Sequence, residues 1–310
     1  MSTRFLHRLL SCASLLAVLA AVPAHAQTAG APNTLDDRFR NQVYHLSPEQ
    51  KLSDALMSGQ DDLILLRHTK LITVHAGYTR NVTSNAPLSP DEPKQDDYGV
   101  ADAGIEAGTV IAGHVRVYAN AGVVSTQYAQ YEALNYSAVT AAVGAQAHYA
   151  GIDLDVAWSP SAVYGSQNFH HLSLRQARYS AQLSTTLKLG PVYLQPSIHY
   201  DRTRAHPADY DNSASGGRLS LVAPLKLRRP VTIYLSGGFE QRFYDHYFSD
   251  LLGVDRKDKL RDVAIGARWQ VTPALEISAQ VSYQKNRSTS DVSVYKARGG
   301  MVGVTLSRKF

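Results

Sequence analysis

From about Leu71 to Phe310 apolar and polar side chains alternate in segment after segment, and the breaks between segments are by turns very short and longer. A period of two puts successive side chains on opposite faces of an extended strand, so each segment reads as a strand with one apolar and one polar face. The rows are cleanest near the C-terminus. Val231, Ile233, Leu235, Gly237 and Phe239 alternate with Thr232, Tyr234, Ser236, Gly238 and Glu240; Val263, Ile265, Ala267, Trp269 and Val271 alternate with Asp262, Ala264, Gly266, Arg268 and Gln270. Leu275, Ile277, Ala279, Val281 and Tyr283 repeat the apolar row, and Val302, Val304 and Leu306 close it. The parity predicts strands at roughly 71–83, 97–111, 113–130, 135–150, 152–166, 175–190, 192–204, 214–228, 230–245, 257–272, 274–287 and 295–310. Each meets or exceeds the ~9–11 residues that a tilted strand needs to cross a bilayer, and an even count suits a single-chain barrel. The predicted fold is all-β: a transmembrane antiparallel up-and-down β-barrel of about 12 strands.

Connection lengths test that count independently. Ala112-Gly113, Gly151, Gly190-Pro191, Arg228-Arg229-Pro230 and Thr272-Pro273-Ala274 are tight and rich in turn formers. Ser84 to Asp96, Tyr131 to Leu134, Gln167 to Leu174, Ala205 to Ser213, Tyr247 to Arg256 and Ser288 to Val294 are longer and alternate strictly with them. Short turns belong to the periplasmic side and long loops to the outside, which places both termini in the periplasm.

The N-terminus agrees with that compartment. Arg4 and Arg8 precede an apolar stretch from Leu15 to Ala21, and Ala24-His25-Ala26 is a small-residue cleavage motif, so residues 1–26 read as an export signal. The apolar stretch falls short of the ~20 residues that span a bilayer as a helix, which argues against a retained anchor. Residues 27–68 read as a short periplasmic extension, in which Ser47-Pro48-Glu49-Gln50 has the form of a helix start running to about Ser58. The barrel takes 69–310.

The single cysteine, Cys12, lies inside the signal, so no disulfide framework or thiolate metal site is expected. The formal net charge of +5 is spread along the chain and includes Arg4 and Arg8. Without clustered Lys and Arg, nucleic acid is not an expected partner. Trp158, Trp269, Tyr149, Tyr179, Tyr200 and Tyr283 are expected near strand ends, where amphipathic rings favour a membrane interface. The composition therefore fits a barrel better than a soluble sandwich of this length.

The same parity turns a set of ionisable residues toward the lumen: Asp102, Glu106, Asp153, Asp155, Asp201, Glu240 and Asp262, with Arg116, Lys188, Arg218, Lys226, Arg242, Arg268 and His148; His199 and Tyr193 share that face. Glu240 and Arg268, on neighbouring strands, are expected to pair. Such a mixture of signs can brace the interior or line a water-filled, weakly selective passage. Other chemistry is thinner. His171-Leu172-Ser173 has the His-x-Ser spacing of a base and its nucleophile, resembling outer-membrane lipid hydrolase barrels, with Asn168 the one candidate third group; the expectation is no catalytic site. Asp91-Glu92 and Asp96-Asp97 offer carboxylates to divalent cations in the first long loop, and Tyr247 to Leu252 places apolar groups in an external loop suited to adhesion or to plugging. No phosphate-cradling loop, zinc spacing or calcium loop is present, so no cofactor and no metal are expected.

Phe310, with Val302, Val304 and Leu306 at alternate positions, resembles the C-terminal signal read by the barrel assembly machinery in exported barrels of Gram-negative bacteria, although Arg308 interrupts the apolar row. Arg256-Lys257-Asp258, Pro273, Tyr283, Asn286, Ser288, Tyr295 and Phe310 together resemble the closing strands of exopolysaccharide-export and porin-like barrels and of the surface lipoprotein assembly modifier barrel. That resemblance implies export of a polysaccharide or surface assembly of a partner protein. Such relatives often carry helical-repeat domains before the barrel, where residues 27–68 leave room for a short helix. The expected function is a porin-like passage for small polar solutes or oligosaccharides in the outer membrane, in contact with its lipids and lipopolysaccharide. Secretion or surface assembly, lipid hydrolysis and adhesion are the alternatives.

Overall fold

A computed structural model describes residues 70–86, 93–111, 115–165, 173–225, 227–249, 254–290 and 293–310. The expected signal, the extension with its helix, Lys226, Asn168, His171, Asp91-Glu92 and Leu251-Leu252 lie outside them. The strands are β1 (Lys70–Thr83), β2 (Asp96–Val110), β3 (Val115–Tyr128), β4 (Tyr136–Tyr149), β5 (Ile152–Gly165), β6 (Ser173–Thr185), β7 (Leu187–Leu189), β8 (Val192–His206), β9 (Asn212–Leu225), β10 (Val231–Ser249), β11 (Val254–Thr272), β12 (Leu275–Ser288) and β13 (Tyr295–Lys309). Neighbours in sequence pair antiparallel except β6 and β7, β1 pairs with β13, and β6 pairs with β8, so twelve strands close into a barrel with β7 as a short extra. Among the described residues no helix is long and apolar enough to cross a membrane; this chain crosses with strands.

The expected single strand over 175–190 is thus two. β7 keeps the register of β6 against β8, since Ser184 lies opposite Ser197 and Leu187 opposite Leu194. The break falls where β5 begins: Ile152 pairs with Thr185, and beyond it the chain has a neighbour on one side alone. The turn before β5 follows from its residues. Tyr149 lies opposite Ile152, and Ala150 and Gly151 have φ of 51° and 79°, the double left-handed geometry of a type I′ hairpin.

Alternation decides which face meets lipid. Ile233, Leu235 and Phe239, Val263, Ile265 and Trp269, Val281, Val302, Val304 and Leu306 are all exposed on the outside. Trp158 lies opposite Tyr179, and Tyr200 stands one strand further on, so three strands carry an aromatic band above Ile152, Leu154 and Val156. The band lies midway along β5 instead of at its end, because the strands run on beyond the bilayer. β10 and β11 go furthest, at 19 residues each. They bulge between Phe243 and Phe248 and then pair again, Phe248 with Asp255. Tyr247 to Ser249 therefore belong to a strand and not to the external loop expected there.

The packed interior lies in the barrel, in clusters towards its two ends. Tyr193, Val222 and Tyr234 pack near the periplasmic end. At the extracellular mouth Tyr136, Ala138, Val163, Leu174 and Tyr210 form one cluster, and Ala86, Tyr128 and Leu134 another. Tyr210 reaches its cluster because a turn of 3-10 helix, Ala208–Tyr210, folds the connection between β8 and β9 inward. Asp211 holds that fold by accepting from the Ala205 N–H at 2.5 Å and from Arg204 at 3.0 Å. Asp96 is spent likewise: buried, it accepts from the N–H groups of Asp97, Gln130 and Tyr131. Asp97 pairs with Arg80. This acidic pair in the first long loop is consumed by the fold.

Candidate functional site

The candidate site is the inner wall, and one geometric device recurs along it. In a sheet, alternate strands lie about 9.6 Å apart, too far for most side-chain pairs unless the strand between them presents nothing. Glycine presents nothing. Gly216 of β9 lies opposite both His199 of β8 and Glu240 of β10, and His199 Nε2 reaches Glu240 at 3.3 Å across it. Gly238 lies between Arg218 and Asp262, which meet at 2.7 Å. Tyr118 lies over Gly144 and donates to Asp155 at 3.0 Å; Tyr234 lies over Gly266 and donates to Gln280 at 2.8 Å. A Cβ at Gly144 would stand 2.6 Å from the Tyr118 ring and 2.6 Å from the Val156 carbonyl.

These bridges join the predicted residues into networks. Near the periplasmic end Arg116 donates to Glu106 at 2.5 Å and to Gln146 at 3.2 Å, Gln146 donates to Asp155 at 2.9 Å, and His148 Nδ1 meets Asp153 at 2.7 Å. Lys188, on the short strand β7, stands exposed over the Tyr193 ring at 5.9 Å. At mid-height His75 Nε2 lies 3.6 Å from Asp102. Further up, Arg242 donates to Glu240 at 2.6 and 3.1 Å, and Arg178 to the buried Asp201 at 2.6 Å.

Glu240 and Arg268 do not pair. Register puts Arg268 opposite Thr232 and Glu240 opposite Leu260, so eight residues of strand, ~26 Å, separate the two along β10. Arg268 instead forms a two-bond pair with Glu276, at 2.8 and 2.7 Å. His75, Tyr118, Arg178 and Glu276 join these networks without being singled out by the sequence, although parity reaches all four: Arg178 shares its face with Ser180 and Gln182, and Glu276 with Ser278 and Gln280. Four of the residues behind the C-terminal resemblance also converge. Arg256, Asp258, Asn286 and Tyr295 are buried together at the extracellular end of β11 to β13. Of the His-x-Ser pair, Ser173 opens β6 and its partner lies outside the described residues.

The carboxylates on the two sides of the wall differ in exposure more than the arginines do, Arg116 being 14% exposed on the first side and Arg218 16% on the second. On the β1–β5 side the side chains of His75, Asp102, Glu106 and Asp153 are 41%, 34%, 33% and 43% exposed. On the β8–β12 side Asp201, Glu240, Arg242, Arg268 and Glu276 lie between 3% and 15%.

No protein-family model matches the chain, and no curated protein matches it. Among solved structures, an outer-membrane channel from Pseudomonas putida F1 superposes with a TM-score of 0.52 at 12% identity, over 77% of this chain and 95% of that one. The fold is an outer-membrane β-barrel. The β domain of the Bordetella autotransporter BrkA matches this barrel with a TM-score of 0.49 at 14% identity, over 78% of this chain and 100% of that one. The KdgM porin matches with 0.40 at 9% identity, over 75% and 98%. The likeness is one of fold. With its apolar girdle and closed sheet, the barrel resides in the outer membrane, where that girdle meets lipid.

Proposed function

We propose that this outer-membrane barrel is a narrow passage for small polar solutes. One observation carries the reading: the inward-facing side chains of His75, Asp102, Glu106 and Asp153, from mid-height to the periplasmic end, stay about a third or more exposed. Exposed charge inside a cylinder surrounded by hydrocarbon needs water beside it, because an unsolvated ion is prohibitively costly there. Paired charges of both signs leave little net field, so selectivity is modest and solute size matters more. The buried Tyr210 and Tyr128 clusters occupy part of the mouth, which favours ions, single sugars and amino acids over long oligosaccharides.

Planar-bilayer recording on the purified, refolded barrel tests the reading. The expected result is small, steady, weakly ion-selective openings, enlarged when Tyr210 is replaced by alanine. A membrane that stays silent at every salt concentration and voltage would leave the barrel without a constitutive passage.

A further inference from the structure

A second site lies on the outside. At the extracellular ends of β11, β12 and β13 the outward row ceases to be apolar and becomes basic: Lys259 and Arg261, Lys285 and Arg287, Lys296 and Arg298. Register sets like charges directly opposite. Lys259 faces Arg287, Arg261 faces Lys285, and Lys285 faces Lys296. Lys285 is within electrostatic reach of Arg261, Arg287 and Lys296 together. Among the described residues the outward carboxylate on these strands is Asp255, on β11 beyond Lys259, and none of the six cations forms an ion pair. Elsewhere on the outer surface Arg80 is paired with Asp97, Arg202 with Asp245, and Arg204 with Asp211.

Like charges directly opposite in a sheet are unfavourable, and a surface needing solubility alone would intersperse the signs. This row invites an external polyanion. Its position states the kind. Val263, Tyr283 and Gly300 are the next outward positions towards the bilayer on the same strands, with Val281 and Val302 following on β12 and β13, and between Val82 and Val281 a Cβ at Gly300 would meet nothing within 4 Å, leaving a shallow groove in the apolar belt. The ligand that fits has phosphates spread over three strands, ~10 Å, and acyl chains directly beneath them.

We infer that the outer face of β11–β13 binds the phosphorylated headgroup of lipopolysaccharide in the outer leaflet, with an acyl chain lying along the groove at Gly300. This site is separate from the lumen and does not rest on the channel reading.

The test is titration of the folded barrel in detergent micelles with purified rough-type lipopolysaccharide and with the same material after removal of its phosphates. The phosphorylated form is expected to bind about tenfold more tightly or better, and raising NaCl from about 0.05 to about 0.5 M to weaken it severalfold. A variant carrying Lys259→Gln, Arg261→Gln, Lys285→Gln and Arg287→Gln is expected to lose that advantage while keeping its conductance and heat-dependent gel migration; Lys285→Arg alone is expected to keep it. Equal binding of the phosphorylated and dephosphorylated forms, or unchanged binding by a folded fourfold variant, overturns the site. Should that variant not fold, salt-independent binding to the native chain overturns it equally. Preference for a soluble polyanion, tripolyphosphate, over lipopolysaccharide overturns the lipid assignment.

Discussion

The ion pair at the extracellular end of β11 offers the sharpest energetic test. Arg256 and Asp258 are two positions apart on one strand and so share a face, which here is the interior; their side chains are 1% and 4% exposed. Arg256 donates to Asp258 through Nε at 3.1 Å and through Nη2 at 2.6 Å, and its guanidinium lies 4.3 Å from the centre of the Tyr244 ring. Asp258→Ala would take away the carboxylate that accepts from this buried guanidinium at two nitrogens. Breaking such a pair costs about 3–5 kcal/mol, and the Tyr244 ring still offers about 1–2 kcal/mol, so the expected loss is about 3 kcal/mol. With a urea slope of about 3 kcal/mol per molar for a chain this size, the unfolding midpoint should fall by about 1 M. Trp158 and Trp269, the two tryptophans, both face lipid and report unfolding by fluorescence in vesicles or micelles. Arg256→Met with Asp258→Leu removes both charges and should lie within about 1 kcal/mol of the native chain. A single variant within about 0.5 kcal/mol of native would mean that water screens the pair. A double variant as weak as the single would mean that packing, not stranded charge, is what Asp258 supplies.

Asp102→Asn with Glu106→Gln removes two of the exposed inward carboxylates, and the reversal potential in a KCl gradient should move toward anion preference; an unchanged potential would detach these residues from the ion path. Gly144→Ala forces a methyl against Tyr118 and the Val156 carbonyl, so a stability loss of about 1–3 kcal/mol is expected in the same urea assay, partly recovered by Tyr118→Leu. Phe310 exchanges backbone hydrogen bonds with Ile72 at the seam while its ring is exposed, so Phe310→Ala should lower the amount of folded barrel in cells severalfold yet refold normally in micelles; equal loss in both settings would make its role structural. Purified barrel should release no fatty acid from phospholipid or lipid A, and hydrolysis abolished by Ser173→Ala would reverse that expectation.

Much of the architecture could be read from one dimension. A strand in a lipid-facing cylinder sees two solvents on opposite faces, so Val263, Ile265 and Trp269 against Asp262, Gly266 and Arg268 state the facing of every residue between them without reference to any other strand. The alternation of tight and long connections orders the strands as a meander for the same local reason, and closure follows from the need to satisfy a free sheet edge in hydrocarbon. Partnership is different. Parity turned Glu240 and Arg268 inward but could not give their heights, which depend on the stagger between β10 and β11; Arg268 consequently belongs to Glu276 and Glu240 to Arg242 and His199. Nor could it show that Gly216 and Gly238 are windows through which a side chain reaches two strands away, since the bridged residues are brought into line by three strands in register. The basic row outside β11–β13 was spread over three separate segments of sequence and became one surface when those segments lay side by side. The chain alone determined which face each residue takes, because facing is set by its own backbone; the folded sheet decided which residues meet, because meeting requires the register of strands that are distant in sequence.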